Sequence, residues 1–263
     1  MRDAAAELLA RLRYRNHSGR VIRQHRALRS YRMNARDLLQ ALLLPIASTL
    51  LLALAIDEIA SFWNAVIRFW TARIGIVAPF DAIASGIAGR HLFTLEIPRV
   101  GGQMPGPGAM LALAGGTTAM IAAAHLALRR YPPLVYLAWA IGAIQAATLL
   151  YLQLASNPFP HTIAAHLRGG LELAAAFLFS VPWLLAFSYY VFDFGLLRKI
   201  ACTTMIVGYV AAYAPIQYTL HLVLLDLGTV ALMPVLFAFG GMLVHVLMFM
   251  ALYGWAMSWR SRQ

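Results

Sequence analysis

The sequence has few charged residues, one cysteine and one lysine. Only 12% of its 263 residues are Asp, Glu, Lys or Arg and 61% are apolar, a balance that excludes a soluble globular domain of this length. Because Cys202 is the single cysteine, an internal disulfide and a cysteine metal cluster are excluded as well. All but one of the 21 basic residues are arginine. This preference is typical of GC-rich coding, so we expect a bacterial protein.

Six long apolar runs occupy most of the chain after residue 37. Each reaches or nearly reaches the roughly 20 residues that a helix needs to cross a hydrocarbon layer about 30 Å thick. The sequence therefore predicts an all-α integral membrane protein with six transmembrane helices. The expected spans are 38–57, 108–128, 132–154, 169–192, 200–226 and 229–258.

Arginine is concentrated on alternate connections between these runs. Ten arginines precede the first run, and further basic residues follow the second, fourth and sixth. By the positive-inside rule, these segments and both termini are expected in the cytoplasm, with the spans in the bacterial inner membrane. The long connection 58–107 is then expected on the outer face. The basic residues after the runs are Arg129, Arg130, Arg198, Lys199, Arg260 and Arg262.

The chain is expected to consist of an arginine-rich cytoplasmic segment, 1–37, and a six-helix membrane domain, 38–263. The first segment predicts amphipathic helices that bind anionic lipid headgroups, since each basic residue near such a surface contributes about 1 kcal/mol. An acidic protein partner is the alternative. Nucleic acid is not expected, because no binding motif accompanies the charge. No cleavable signal peptide is visible.

The expected outer loop, 58–107, carries two local patterns. In its first part, apolar residues that include two tryptophans recur at helical spacing, which predicts an amphipathic helix lying in the membrane interface. Farther on, residues 90–100 alternate between apolar and polar, which predicts a short β-hairpin-like segment. The helical stripe consists of Ile59, Phe62, Trp63, Val66 and Trp70.

A polar stripe follows the fifth expected span. Tyr209, Tyr213, Gln217 and His221 recur every four residues, so they lie on one side of a helix. Polar groups in hydrocarbon are costly without a partner, and we therefore expect the stripe to face the helix bundle. It either lines a polar path or binds neighbouring helices by hydrogen bonds. His245, near the middle of the sixth span, is expected at a similar depth.

A second group of polar residues is expected near the outer edge of the fourth and fifth spans. Glu172, His166 and Asp226 are candidate acid–base groups, and Arg168 is a candidate phosphate ligand. A metal site is not expected, because His161 and His166 are five residues apart and no HExxH pattern is present. The depths of the histidines also argue against a haem, so no cofactor is expected.

Three functions fit these patterns. The first is a non-catalytic subunit of a bacterial envelope assembly for transport or export, since an arginine-rich arm suits docking and the membrane interior carries few charges. The second is an enzyme that acts on a lipid or lipid-linked substrate at the outer interface. The third is a small proton-coupled transporter that uses the polar stripe and His245. Membrane lipids and other protein subunits are the expected partners.

Overall fold

The computed structural model of the protein describes residues 35–87, 90–155, 160–189 and 195–258. Six helices in these ranges are long and apolar enough to cross a membrane. This confirms the prediction of a multi-pass helical membrane protein. The amphipathic helices expected within the first 34 residues lie outside the described residues. The first five helices are α1 (Ala35–Ile74), α2 (Pro107–Ala127), α3 (Pro132–Leu154), α4 (Ile163–Tyr189) and α5 (Leu196–Leu227).

Helix α1 is much longer than the first expected span. It runs without interruption for 40 residues, or about 60 Å, which is twice the thickness of a hydrocarbon layer. The prediction of a separate interfacial helix after residue 57 is therefore wrong. Asp57 and Glu58 end the apolar run but leave the helix intact, and it ends only at Gly75, whose φ of 83° favours glycine.

Trp63, expected in the membrane interface, is fully buried instead. Its indole Nε1 donates a hydrogen bond of 2.7 Å to the carbonyl of Ala211 in α5. Four residues later α5 contains Pro215, which has no N–H to donate to that carbonyl. Trp63 therefore supplies the donor that the proline lacks, and it fixes α1 against α5 at this level.

A two-stranded antiparallel sheet follows α1 and confirms the predicted hairpin. Strand β1 (Phe80–Ile87) pairs with β2 (Arg90–Pro98), with a register irregularity between Ser85 and Gly86. One face of β2 is buried against α1 and α4 through its alternating apolar residues. These residues are Phe93, Leu95 and Ile97.

Two interactions hold the edges of this hairpin. Asn64 of α1 donates through Nδ2 to the carbonyl of Thr94 (3.1 Å) and accepts through Oδ1 from the amide of Glu96 (2.9 Å). A side-chain amide thus takes the place of a third strand on β2. Across the two strands, Arg99 donates to both carboxylate oxygens of Asp81, and this pairing raises the pKa of the guanidinium.

The buried core is formed mainly by α1, α4, α5 and the hairpin. Helices α2 and α3 pack on each other and join the rest of the molecule chiefly through the first residues of the sixth span. There Gln145 donates to the carbonyl of Ala231 (3.1 Å), and the amide of Val230 donates to the carbonyl of Gln103. The α2–α3 pair is therefore a peripheral unit held at few points.

The sixth span, Val230–Ala256, is not one regular helix. It begins with a short 3₁₀ turn, Val230–Leu232, and then passes through Met233–Val235 into wide π-type turns over Leu236–Met242. The backbone leaves helical geometry at Gly241 (φ −90°, ψ −114°), and α6 continues as Leu243–Met257. Pro234, Gly240 and Gly241 are the residue types that permit such an interruption.

Candidate functional site

The buried part of the polar stripe of α5 faces neighbouring helices. Tyr209 and Tyr213 are half-buried and stack on each other with ring centroids 5.2 Å apart. Gln217 and His221 are buried. The stripe thus passes from a partly open end at Tyr209 to a buried end at His221.

Gln217 forms hydrogen bonds with the backbone at the point where the sixth span is interrupted. Its Nε2 donates to the carbonyl of Gly240 and to that of Gly241 (3.2 Å). Where a helix is broken, carbonyl groups lose their regular intrahelical donors, and inside a membrane the replacement must come from the protein. The side chain of Gln217 supplies it at the point where the backbone departs from helical geometry.

His166 of α4 and His221 of α5 form a buried pair. Nε2 of His166 lies 3.1 Å from Nδ1 of His221, which is a hydrogen-bond distance. Tyr218 packs edge-on against His221. A Cβ atom on Gly170 would overlap the ring of Tyr218, so the glycine is what lets α4 and α5 approach here.

His245 lies deeper in the bundle and is fully buried. Its ring stacks on Phe177 at 6.1 Å and meets the ring of Tyr213 edge-on at the same separation. Within the described residues, neither ring nitrogen of His245 has a hydrogen-bond partner, and nor does Oε1 of Gln217. Buried polar atoms of this kind are uncommon and mark functional or hydrated positions.

A cavity of about 370 Å³ lies between α3, α4 and the sixth span, beside the histidine pair. His166 and His161 are the titratable residues of its wall, and His245 does not line it. The rest of the wall is mainly apolar. It consists of Ile144, Ala165, Met233, Pro234 and Phe237.

Glu172 and Arg168 point away from the histidine pair. Arg168 Nε donates to Glu172 Oε1 at 2.9 Å, and the amide of Gly86 in the hairpin approaches the same oxygen at 3.4 Å. A step of two residues rotates a helix by about 200°, which separates Arg168 from His166. The pair therefore helps to fix the hairpin on α4.

The candidate acid–base groups are not brought together as one constellation. Glu172 is engaged with Arg168, while His166 is engaged with His221. Asp226 is half-buried near the end of α5, and no described hydrogen bond or ion pair joins it to the other two. Within the described ranges, no three His, Cys, Asp or Glu side chains lie close enough together to hold a metal ion.

A polar groove of about 500 Å³ runs between α1 and β2. Asp57, Asn64 and Arg68 contribute from α1, and Arg68 Nε lies 2.5 Å from Glu96 Oε2 of β2. Asn64 and Arg68 are four residues apart and so lie on one face of the helix. The sequence does not indicate that a strand covers that face.

No protein family matches the chain, and neither the curated proteins nor the solved structures include a significant match to it.

Proposed function

We propose that the protein is a non-catalytic integral membrane subunit of a larger envelope assembly, of the kind used for transport or export. The observation that carries this proposal is the exposed face of α2. In the apolar 18-residue stretch of α2, only 6% of the residues are buried within the chain, whereas 50% are buried in the corresponding stretch of α4. A second protein helix would cover this face.

The exposed face of α2 is built from small side chains. Between Gly108 and Ala123, the residues on this side of the helix are glycine and alanine. Among the described residues, no atom lies within 4 Å of a Cβ placed on Gly115 or Gly116. Small residues let helix backbones approach closely, which is the main source of helix association in lipid. The face comprises Gly108, Ala112, Gly115, Gly116, Ala119, Ala122 and Ala123.

Helix α1 provides the contrast within the same chain. Its exposed residues before Asp57 are mostly bulky leucines, with Leu54 at 83% exposure and Leu51 at 67%. Such side chains fill the space beside lipid tails without help from another helix. Two exposed membrane helices of one protein thus differ in composition, and the difference favours a protein partner on α2.

Site-specific photo-crosslinking tests the proposal on the full chain in native membranes. A photoreactive amino acid placed at Ala112 or Ala119 should give crosslinked adducts of defined mass with another membrane protein. The same group at Leu54 should give none above background, because that position is expected to face lipid. Gly116→Leu should abolish the adducts, while Ala53→Leu, a similar gain of bulk at an exposed position of α1, should leave them intact.

Either of two results would overturn the subunit proposal. One is an absence of adducts from both α2 positions in membranes where Leu54 labels only lipid. The other is an adduct pattern that Gly116→Leu leaves unchanged. Adducts whose mass equals two copies of this chain would indicate self-association in place of a hetero-assembly.

We also propose that both ends of the chain are cytoplasmic and that the arginine-rich segment binds anionic lipid. The distribution of arginine supports this orientation. Because Cys202 is buried, an introduced cysteine can be labelled selectively. A membrane-impermeant thiol reagent applied to intact cells should modify His91→Cys in the hairpin. Labelling of that position only after lysis would reverse the orientation.

A proton-coupled transporter is the second candidate, favoured by the interrupted sixth span together with His245. Broken membrane helices commonly form binding sites for substrates and ions. Liposomes containing the full chain and a pH-sensitive dye should then take up protons along an imposed gradient, and His245→Phe should abolish the uptake. Uptake no faster than that of empty liposomes would reject this candidate. An enzyme has less support, because its three candidate groups do not meet.

A further inference from the structure

The cavity beside the histidine pair has the size and lining of a small-molecule site. Its volume of about 370 Å³ is at the lower end of the ~300–1,000 Å³ typical of such sites. The wall is predominantly apolar, and His166 is a buried polar group in it. A ligand for this cavity therefore needs a compact apolar body and one polar group that meets the histidine.

The hydrogen bonds of the pair determine which polar group fits. Nε2 of His221 lies beside Gly240, whose backbone carbonyl can only accept a hydrogen bond. This neighbour favours the tautomer of neutral His221 that carries its proton on Nε2, and we assign that tautomer. Nδ1 of His221 then accepts from Nε2 of His166, which leaves Nδ1 of His166 as an acceptor. The matching ligand group is a hydrogen-bond donor such as a hydroxyl.

The charge of the cavity wall and the geometry of its rings restrict the chemical class of the ligand further. Among the described residues, the cavity wall contains no Lys or Arg, so an ionised carboxylate would lose its hydration without gaining a fixed cation. Phe237 lies edge-on to His166 with ring centroids 6.1 Å apart, and it offers a flat aromatic surface. A neutral aromatic hydroxyl satisfies both conditions.

We propose that this cavity binds a membrane-soluble phenol, of which a hydroquinone headgroup is one form, with its hydroxyl donating to Nδ1 of His166. The ring lies against the side chains of Phe237 and Met233, and any apolar tail extends between α3 and α4 towards lipid. This assignment is independent of the subunit proposed above, because it concerns a different face of the molecule.

A matched pair of probes tests the role of the hydroxyl. A fluorescent alkylated hydroxyquinoline and its O-methylated form have the same ring and tail, but only the first can donate. Both are titrated into the purified full chain in lipid nanodiscs. One net hydrogen bond corresponds to roughly 2- to 10-fold in affinity, so the hydroxyl form should bind more tightly by that factor.

Three variants locate the site. His166→Phe should remove the preference for the hydroxyl form while the methylated form still binds. Ala165→Phe should fill the cavity and weaken both probes by roughly tenfold or more. His91→Phe makes the same exchange in the hairpin, outside this cavity, and should change neither. Size-exclusion profiles of the variants establish that each one folds.

Several results would overturn the proposal. Equal affinity of the two probes for the natural chain would remove the role assigned to the hydroxyl. Unchanged binding in Ala165→Phe would move the site elsewhere. Displacement of the probe by decanoic acid at lower concentration than by an alkylphenol of equal chain length would identify a carboxylic acid as the ligand. The first two outcomes can be read even if His166→Phe fails to fold.

Discussion

At the scale of single residues, side chains compensate for interruptions in the backbone. Trp63 donates to the carbonyl that Pro215 leaves without a donor, and Gln217 donates to the carbonyls at the break in the sixth span. Both are cases of a polar side chain completing a membrane helix from outside it. These pairings join α1 to α5 and α5 to the sixth span.

The Trp63–Pro215 relation predicts a thermodynamic coupling. Trp63→Phe should destabilise the protein by about 1–2 kcal/mol, because the Ala211 carbonyl loses its donor while ring packing is largely kept. Pro215→Ala restores an N–H at the position four residues later. In the Pro215→Ala background, Trp63→Phe should lower the free energy of unfolding by less than it does in the natural chain. Unfolding in a series of denaturing detergent concentrations measures this difference. Equal costs in both backgrounds would contradict the proposed substitution of donors.

Gly170 predicts a contrast with its neighbour. Gly170→Ala should destabilise the α4–α5 contact by about 1–3 kcal/mol, because its Cβ would overlap the ring of Tyr218. Gly169→Ala is the matched control, since a Cβ there meets no described atom within 4 Å. The control should be neutral or slightly stabilising in thermal unfolding. If both variants unfold at the same temperature, Gly170 is not required for the close approach of α4 and α5.

At the scale of elements, the hairpin depends on helix α1 for its outer edge. Asn64 satisfies one donor and one acceptor of β2, and without it that edge would be left to water. The Arg68–Glu96 ion pair lies beside it but is exposed, so it contributes little. The amide of Asn64 is therefore the main polar link between helix and sheet.

Asn64→Ala should loosen β2 by about 1–2 kcal/mol, about 1 kcal/mol for each hydrogen bond lost. Hydrogen exchange measured by mass spectrometry should speed up at the Glu96 amide, which donates to Asn64. Ser61→Ala, another small change in the same groove, is the control and should leave the rate unchanged. An unchanged rate in Asn64→Ala would show that packing alone holds the strand.

The elements could be predicted from the sequence wherever hydropathy alone determines them. The second and third spans, expected at 108–128 and 132–154, agree with the structure to within one residue. Helix α4 begins six residues before its expected start. The expected start was late because His166 and Arg168 make that stretch polar in the sequence. The continuity of α1 was missed because Asp57 and Glu58 end the apolar run, although neither residue type breaks a helix.

The candidate site was less predictable, because it depends on how helices meet. The sequence placed His166 near the outer edge of the fourth span and His221 in the polar stripe of the fifth. Their hydrogen bond requires the close approach that Gly170 and Gly240 permit. The interruption of the sixth span had signals in Pro234 and the glycine pair. A hydropathy profile does not register them, since the whole run is apolar.

At the scale of the whole molecule, the chain consists of a packed unit and a peripheral pair of helices. Buried contacts concentrate in α1, α4, α5 and the hairpin, whereas α2 and α3 touch the remainder mainly through the start of the sixth span. The packed unit contains the histidine pair. The peripheral pair carries the small-residue face on which the proposed subunit role depends.

Gln145→Leu should loosen the attachment of the peripheral pair. Removing its hydrogen bond to the Ala231 carbonyl should cost about 0.6–1.7 kcal/mol, from the average to the largest value measured for hydrogen bonds between membrane helices. Spin labels at the exposed positions Leu111 and Phe187, in a Cys202→Ser background, would report a broader distance distribution than in the parent. Gln153→Leu removes an exposed amide from the same helix and should preserve the parent distribution. Identical distributions in the parent and in Gln145→Leu would contradict this role.

The length of α1 makes it a rigid connection between α5 and the hairpin. Beyond Pro45 the helix has no internal proline, and it continues for roughly 40 Å to its end at Ile74. Trp63 joins this stretch to α5, and the next residue, Asn64, joins it to β2. Because both links lie within one turn of an uninterrupted helix, a change in how α5 packs against Trp63 is transmitted directly to the hairpin.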